Sequence, residues 1–164
     1  MGEVVTREHL LARAAEARAR GRTIAVANGC FDLLHVGHTR YLEAAAQEAD
    51  LLVVAVNDDP AVTALEGEGR PIVPAALRAE LVAALRCVDL VTIVQGPTVG
   101  PLLEALRPDV RCTGAGDTGD TVPERAIVQG YGGRTAIVGD PKDHSTKALL
   151  ARIVETSRSP IPDP

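Results

Sequence analysis

A chain of 164 residues with a formal net charge of −5, 46% apolar, 24% charged and only 2% aromatic residues reads as one globular domain with an aliphatic core. The acidic balance argues against nucleic acid or an anionic membrane as a partner, and no apolar run approaches the roughly 18 residues of a membrane span. Three scattered cysteines, Cys30, Cys87 and Cys112, give neither a disulfide framework nor a metal spacing, and residues 1–20 lack the apolar stretch of a signal peptide, so a cytoplasmic protein is expected.

Thr6 is the expected N-cap of a helix over about 6–20, with Leu10, Leu11, Ala14 and Ala17 on one stripe and Gly21 at its end. Residues 23–27 are an apolar run of the kind that forms a buried parallel strand. A helix is predicted over 36–49, a second strand over 51–56, and a helical turn over 60–65 after the stop Asn57-Asp58-Asp59-Pro60. Past the loop 67–71, Pro74 opens a helix to 86 with Leu77, Leu81, Val82 and Leu85 inward. Strands over 89–94, 109–112 and 134–138 then alternate with helices over 98–106, 123–131 and 145–154, and a glycine-rich loop fills 113–121.

This alternation predicts an α/β protein: a Rossmann-like three-layer αβα domain over 1–155 with a five-stranded parallel sheet. With strands numbered in chain order, the expected order is 3-2-1-4-5, which puts the ligand crevice between the first and fourth strands. The three prolines of residues 156–164 mark an expected disordered tail.

Between the first strand and its helix stands Asn28-Gly29-Cys30-Phe31-Asp32-Leu33-Leu34-His35-Val36-Gly37-His38. His35 and His38, three residues apart at a helix start, share one face of the first turn. That turn also offers unpaired N–H groups and the positive end of the macrodipole, so an anion belongs there. Gly37 leaves room for close approach to the backbone. The competing readings are two ordinary surface histidines, or a zinc site, for which neither a CxxC nor an HExxH supplies further ligands.

The motif His35-x-Gly37-His38 with its preceding Asn-Gly-Cys-Phe-Asp resembles the signature of the cytidylyltransferase-like nucleotidyltransferases. The resemblance runs from about Thr23 to Ile153 and is nearest to the adenylyltransferase part of ADP-heptose synthases. It implies transfer of a nucleoside monophosphate, AMP from ATP, onto a sugar phosphate such as heptose 1-phosphate, with Mg2+ accompanying the ATP, no metal bound by the protein itself, and a homodimer. Glycerol 3-phosphate or FMN as acceptor, CTP as donor, and a weakly catalytic nucleotide-binding regulatory paralogue are the alternatives.

On this resemblance His35, His38 and Arg70 are catalytic, and Asn28, Gly29, Cys30, Phe31, Gly37, Gly114, Asp117, Ser145 and Thr146 bind nucleotide. Asp32, Asp58, Arg70 and Arg78 are assigned to the acceptor, Asp32 as a residue that orients the loop or the acceptor's site and the two arginines as partners of the sugar phosphate or the pyrophosphate; by themselves, Asp58 reads equally well as a helix N-cap and Arg78 as a solvated helix residue. His144 stands where the family often has serine, and Lys147 is a further phosphate contact. The chain departs from the related heptose enzymes at Glu66 and Thr113, where they typically carry lysine; the chain has only two lysines, Lys142 and Lys147, against fifteen arginines.

A rival motif is Gly114-x-Gly116-x-x-Gly119 with Asp140 about 20 residues on, a formal dinucleotide fingerprint. It follows the fourth strand rather than the first and leaves too little chain for a dinucleotide fold, so an NAD-binding oxidoreductase is the weaker expectation.

Overall fold

The computed structural model describes residues 1–96, 98–115, 124–140 and 144–157. Six strands, β1 (Glu3–Val4), β2 (Ile24–Gly29), β3 (Leu51–Asn57), β4 (Leu90–Val94), β5 (Val110–Gly114) and β6 (Arg134–Val138), form one parallel sheet in the order β1-β4-β3-β2-β5-β6. The helices are α1 (Arg7–Ala19), α2 (Val36–Ala46), α3 (Asp59–Glu66), α4 (Ala75–Ala83), α5 (Gly100–Leu106), α6 (Arg125–Gly130) and α7 (Thr146–Thr156).

The expectation of five strands in order 3-2-1-4-5 is corrected to six. The added strand, β1, has two exposed residues set beside Leu90 and Val91, too short a segment to carry a period. The sheet still changes direction at β2, whose neighbours are β3 and β5.

Strand alternation divides the core. Ala25, Ala27, Leu52 and Val54 pack with Leu42 and Ala45 of α2 and Ala79 and Val82 of α4 on one face. Ile24, Val26, Leu51 and Val53 pack with Leu10 and Ala14 of α1, Leu102, Leu103 and Leu106 of α5 and Val128 of α6 on the other.

Thr6 caps α1 by accepting from His9 N, and Asp58 caps α3 by accepting from Ala61 N at 3.0 Å. What the sequence suggested as a helical turn at 60–65 is therefore a capped eight-residue helix.

A second correction concerns α4. Leu77 and Leu81, predicted inward, are about half exposed, and the inner face is Arg78, Ala79, Val82 and Ala83. The reason is electrostatic. Arg78 takes the inner position because its guanidinium has acceptors waiting below, and that turns the helix one residue away from its leucines.

The candidate active site at the β2–β5 crevice

A cleft of about 370 Å³ opens where β2 and β5 part and is bounded by the N-termini of α2 and α7. His35, Gly37, His38, Glu66, Arg111 and Lys147 are among the residues that line it.

The two histidines form an unusual capping box. His35 is the N-cap of α2, and its Nδ1 accepts from Gly37 N at 3.1 Å, while His38 Nδ1 accepts from His35 N at 3.4 Å. The rings stack at 3.9 Å between centroids, 25° from parallel, and Phe31 lies 5.3 Å from His38. A Cβ at Gly37 would sit 3.0 Å from the His35 ring, so the space this glycine leaves is taken by imidazole.

Because each Nδ1 accepts a hydrogen bond, each neutral ring carries its proton on Nε2. The environment keeps the rings neutral. Burial pushes His38 down to about 4, with the charge of His35 adding and that of Asp32 opposing. Burial and the charge of His144 lower His35. The pair is thus two neutral N–H donors held by the first turn of a helix.

The sign of the linked pH effect follows. Below pH 6.5 the unfolded chain protonates at His38 while the folded protein, with its value near 4, does not. Stability should therefore fall as pH drops from about 6.5 to about 4. Melting temperatures across that window check it: a His38→Asn variant should show a flatter slope than the parent, and equal slopes would refute the assignment.

The loop between β2 and α2 is strained. Phe31 and Leu33 are non-glycine residues at φ 49° and 55°. Asp32 holds them there. Its carboxylate, 1% exposed, accepts from Arg70 Nε at 2.6 Å, Ile72 N at 2.8 Å and Val73 N at 3.0 Å. Burial alone would raise the Asp32 carboxyl, but these donors outweigh it and hold the group below its ordinary value. Its backbone carbonyl accepts from Thr146 Oγ1 at 2.8 Å, which ties α7 to the same loop.

Arg78, with no exposed surface, donates to Val73 O at 2.8 Å, to Asp59 Oδ1 at 2.6 Å and to the Cys30 carbonyl. Asp59 Oδ1 also accepts from Ala75 N, the first residue of α4.

The expected site residues therefore divide. Asn28, Gly29, Phe31, His35, Gly37, His38, Gly114, Ser145 and Thr146 meet at the cleft. Cys30, Asp32, Asp58, Arg70 and Arg78 do not line it. Asp58 is spent as a cap and Arg70 is held by Asp32; Arg78, expected either at the acceptor or solvated on its helix, is instead buried beneath the loop with its guanidinium bonded to Val73, Cys30 and Asp59. Burial also pushes the Cys30 thiol up. Asp117, with the remainder of the Gly114–Gly119 motif beyond Ala115, lies outside the described residues.

Sequence reasoning passed over Arg40, Tyr41 and Arg111. Tyr41 follows His38 by three on α2, the spacing that shares a face, and its hydroxyl donates to Cys112 O at 3.0 Å. Burial pushes this phenol up to about 12. Arg40 pairs with Asp140 at 3.2 Å. Arg111 sits inside the buried strand β5, 4% exposed, and donates to Asn28 Oδ1 and to Cys112 O.

Comparison with known proteins agrees with this geometry. A family model described as cytidylyltransferase-like matches residues 26–155. The bifunctional protein HldE of Syntrophotalea carbinolica is 40% identical over 138 residues, 84% of this chain and 28% of that protein. HldE of Acidiphilium cryptum is 44% identical over 151 residues, 92% of this chain and 31% of that protein. The chain thus spans less than a third of the length of these relatives. Among solved structures, a lipopolysaccharide core biosynthesis protein from Thermoplasma volcanium GSS1 superposes with a TM-score of 0.62 at 26% identity, over 74% of this chain and 100% of that one. With most of its length matched by the family model and the histidine loop set at the sheet's reversal point, the chain belongs to the cytidylyltransferase-like family of nucleotidyltransferases.

Proposed function

We propose that this domain transfers AMP from ATP onto a sugar phosphate such as heptose 1-phosphate and releases pyrophosphate. The observation that supports this reading most is the stacked pair His35 and His38, which presents two neutral Nε2–H donors where the N-termini of α2 and α7 converge.

The chemistry asks little proton transfer of the protein. An acceptor phosphate is already ionised near neutral pH, so its oxygen attacks the α-phosphorus directly, the bond to the β-phosphate oxygen breaks, and pyrophosphate leaves. What the protein must supply is positioning and donors aimed at the charge that grows on the transferring group. His35 and His38 are suited to that role and unsuited to acid–base relay. A second proton on either ring would have to enter at Nδ1 and would break a helix cap. Ser145 and Thr146, at the start of α7, with Lys147, are assigned to the nucleotide phosphates. Asp32, Arg70 and Arg78 are positioning residues that fix the loop.

Mg2+, when bound with ATP, neutralises part of the triphosphate charge. The ion is assigned to the nucleotide, and Glu66 and Asp140 are carboxylates that line the same cleft. A cytoplasmic location and a homodimer complete the proposal. Among the described residues no helix is long and apolar enough to cross a membrane, and Leu77 and Leu81 leave an apolar stripe on α4 exposed.

The test is pyrophosphate release from ATP or CTP with heptose 1-phosphate, glycerol 3-phosphate or FMN. Release with ATP and heptose 1-phosphate is expected. Turnover with CTP alone would overturn the choice of base. Tight nucleotide binding with no turnover of any pair would favour a regulatory module, and micromolar competition between NAD and ATP would revive the oxidoreductase.

A further inference from the structure

Arg111 lines the cleft and carries a buried charge there. It lies on the same sheet face as Val26 and Asn28, the face covered by α1, α5 and α6, and its backbone pairs with Val26 and Thr135. Its guanidinium is buried, yet the groups it meets, Asn28 Oδ1, the Cys112 carbonyl and the Tyr41 hydroxyl, are all neutral. No carboxylate among the described residues lies within ion-pair distance of it. Its Nε is buried with no hydrogen-bond partner, and so is Oγ1 of Thr113, two residues on along the same face. Both residues line the cleft.

A guanidinium is always charged, and holding that charge out of water against neutral acceptors alone is unfavourable. Such an arrangement makes sense where an anion completes it. Asn28 holds one arm of the planar fork, and the guanidinium lies in the wall of the cleft.

We propose that Arg111 is a binding residue that receives a phosphate oxyanion at the floor of the cleft. The inference rests on the nucleotidyl-transfer reading. It also gives the site a fixed cation two residues before Thr113, on the same strand face, where the lysine expected from the resemblance is missing.

Calorimetry on the whole chain tests it, with inorganic pyrophosphate, ATP and heptose 1-phosphate as separate probes and melting temperature measured alongside. The parent should bind pyrophosphate and ATP; binding of none of the three would sink the functional reading itself. Arg111→Met should weaken binding of phosphate ligands about thirty-fold, the scale of one charge-assisted hydrogen bond, while the melting temperature holds or rises. A loss confined to ATP and pyrophosphate assigns the oxyanion to the nucleotide; a loss confined to heptose 1-phosphate assigns it to the acceptor. Adding Thr113→Lys to Arg111→Met should recover most of the binding, since an ammonium returns to the same face. Asn28→Asp is isosteric and serves if Arg111→Met does not fold: it gives the guanidinium an internal carboxylate and should weaken the same ligand. Unchanged binding of all three probes in the folded variants, with or without a fall in melting temperature, would overturn the proposal and leave Arg111 a structural residue.

Discussion

Replacing His38 with asparagine is expected to lower kcat by about a hundred- to a thousand-fold while the nucleotide Kd stays within about three-fold. The side chain does two separable jobs. Its Nδ1 accepts from His35 N, a bond the shorter amide oxygen can take over in part, and its Nε2–H is the donor that asparagine cannot place. A donor that matters only as charge builds in the transition state is lost from kcat and not from ground-state affinity. Steady-state kinetics beside calorimetry would show the split. Retention of most of the turnover would mean that the stacked pair is no more than a cap.

The second large effect is on stability. Asp32→Ala should destabilise the fold by about 3–5 kcal/mol, the range for removing one member of a buried, hydrogen-bonded charge pair. The loss leaves Arg70 Nε and the N–H groups of Ile72 and Val73 without their acceptor beneath a loop that already carries two left-handed non-glycine residues. Denaturant unfolding measures it; a change under about 1 kcal/mol would show that the loop does not depend on this carboxylate. Because the folded value of Asp32 lies below the ordinary 3.8, its contribution is present above that pH and is lost as the pH falls through the lower, folded value.

The parts of this fold legible in the sequence are those where one local rule acts alone. Continuous apolar runs became β2 and β3, Thr6 became an N-cap, and the histidine loop fell between a strand and a helix. Where two rules compete, the sequence misleads. On α4 the leucines at 77 and 81 look like an inward stripe, but Arg78 has acceptors at Val73, Cys30 and Asp59 that only tertiary structure assembles. The β1 strand is too short to show a pattern, and its pairing to β4 depends on a contact 87 residues away. Arg111 is the reverse case. A charged residue within a buried strand is a visible anomaly in sequence, yet its significance depends on Asn28 lying across the crevice. Asp32 and Arg70 were each recognisable as site residues but not as bonded to each other, since a loop 38 residues away supplies the partner.

The reciprocal histidine cap also bears on how such a protein can vary. On the proposed function each imidazole would be both a scaffold for its neighbour and a donor to the transferring group, so exchange of either would disturb the pair. A lineage that lost one would gain almost nothing by keeping the second, because losing both should impair turnover little more than losing either. Loss of activity along this route is therefore a single step rather than a slope, and recovery requires the departed histidine itself to return.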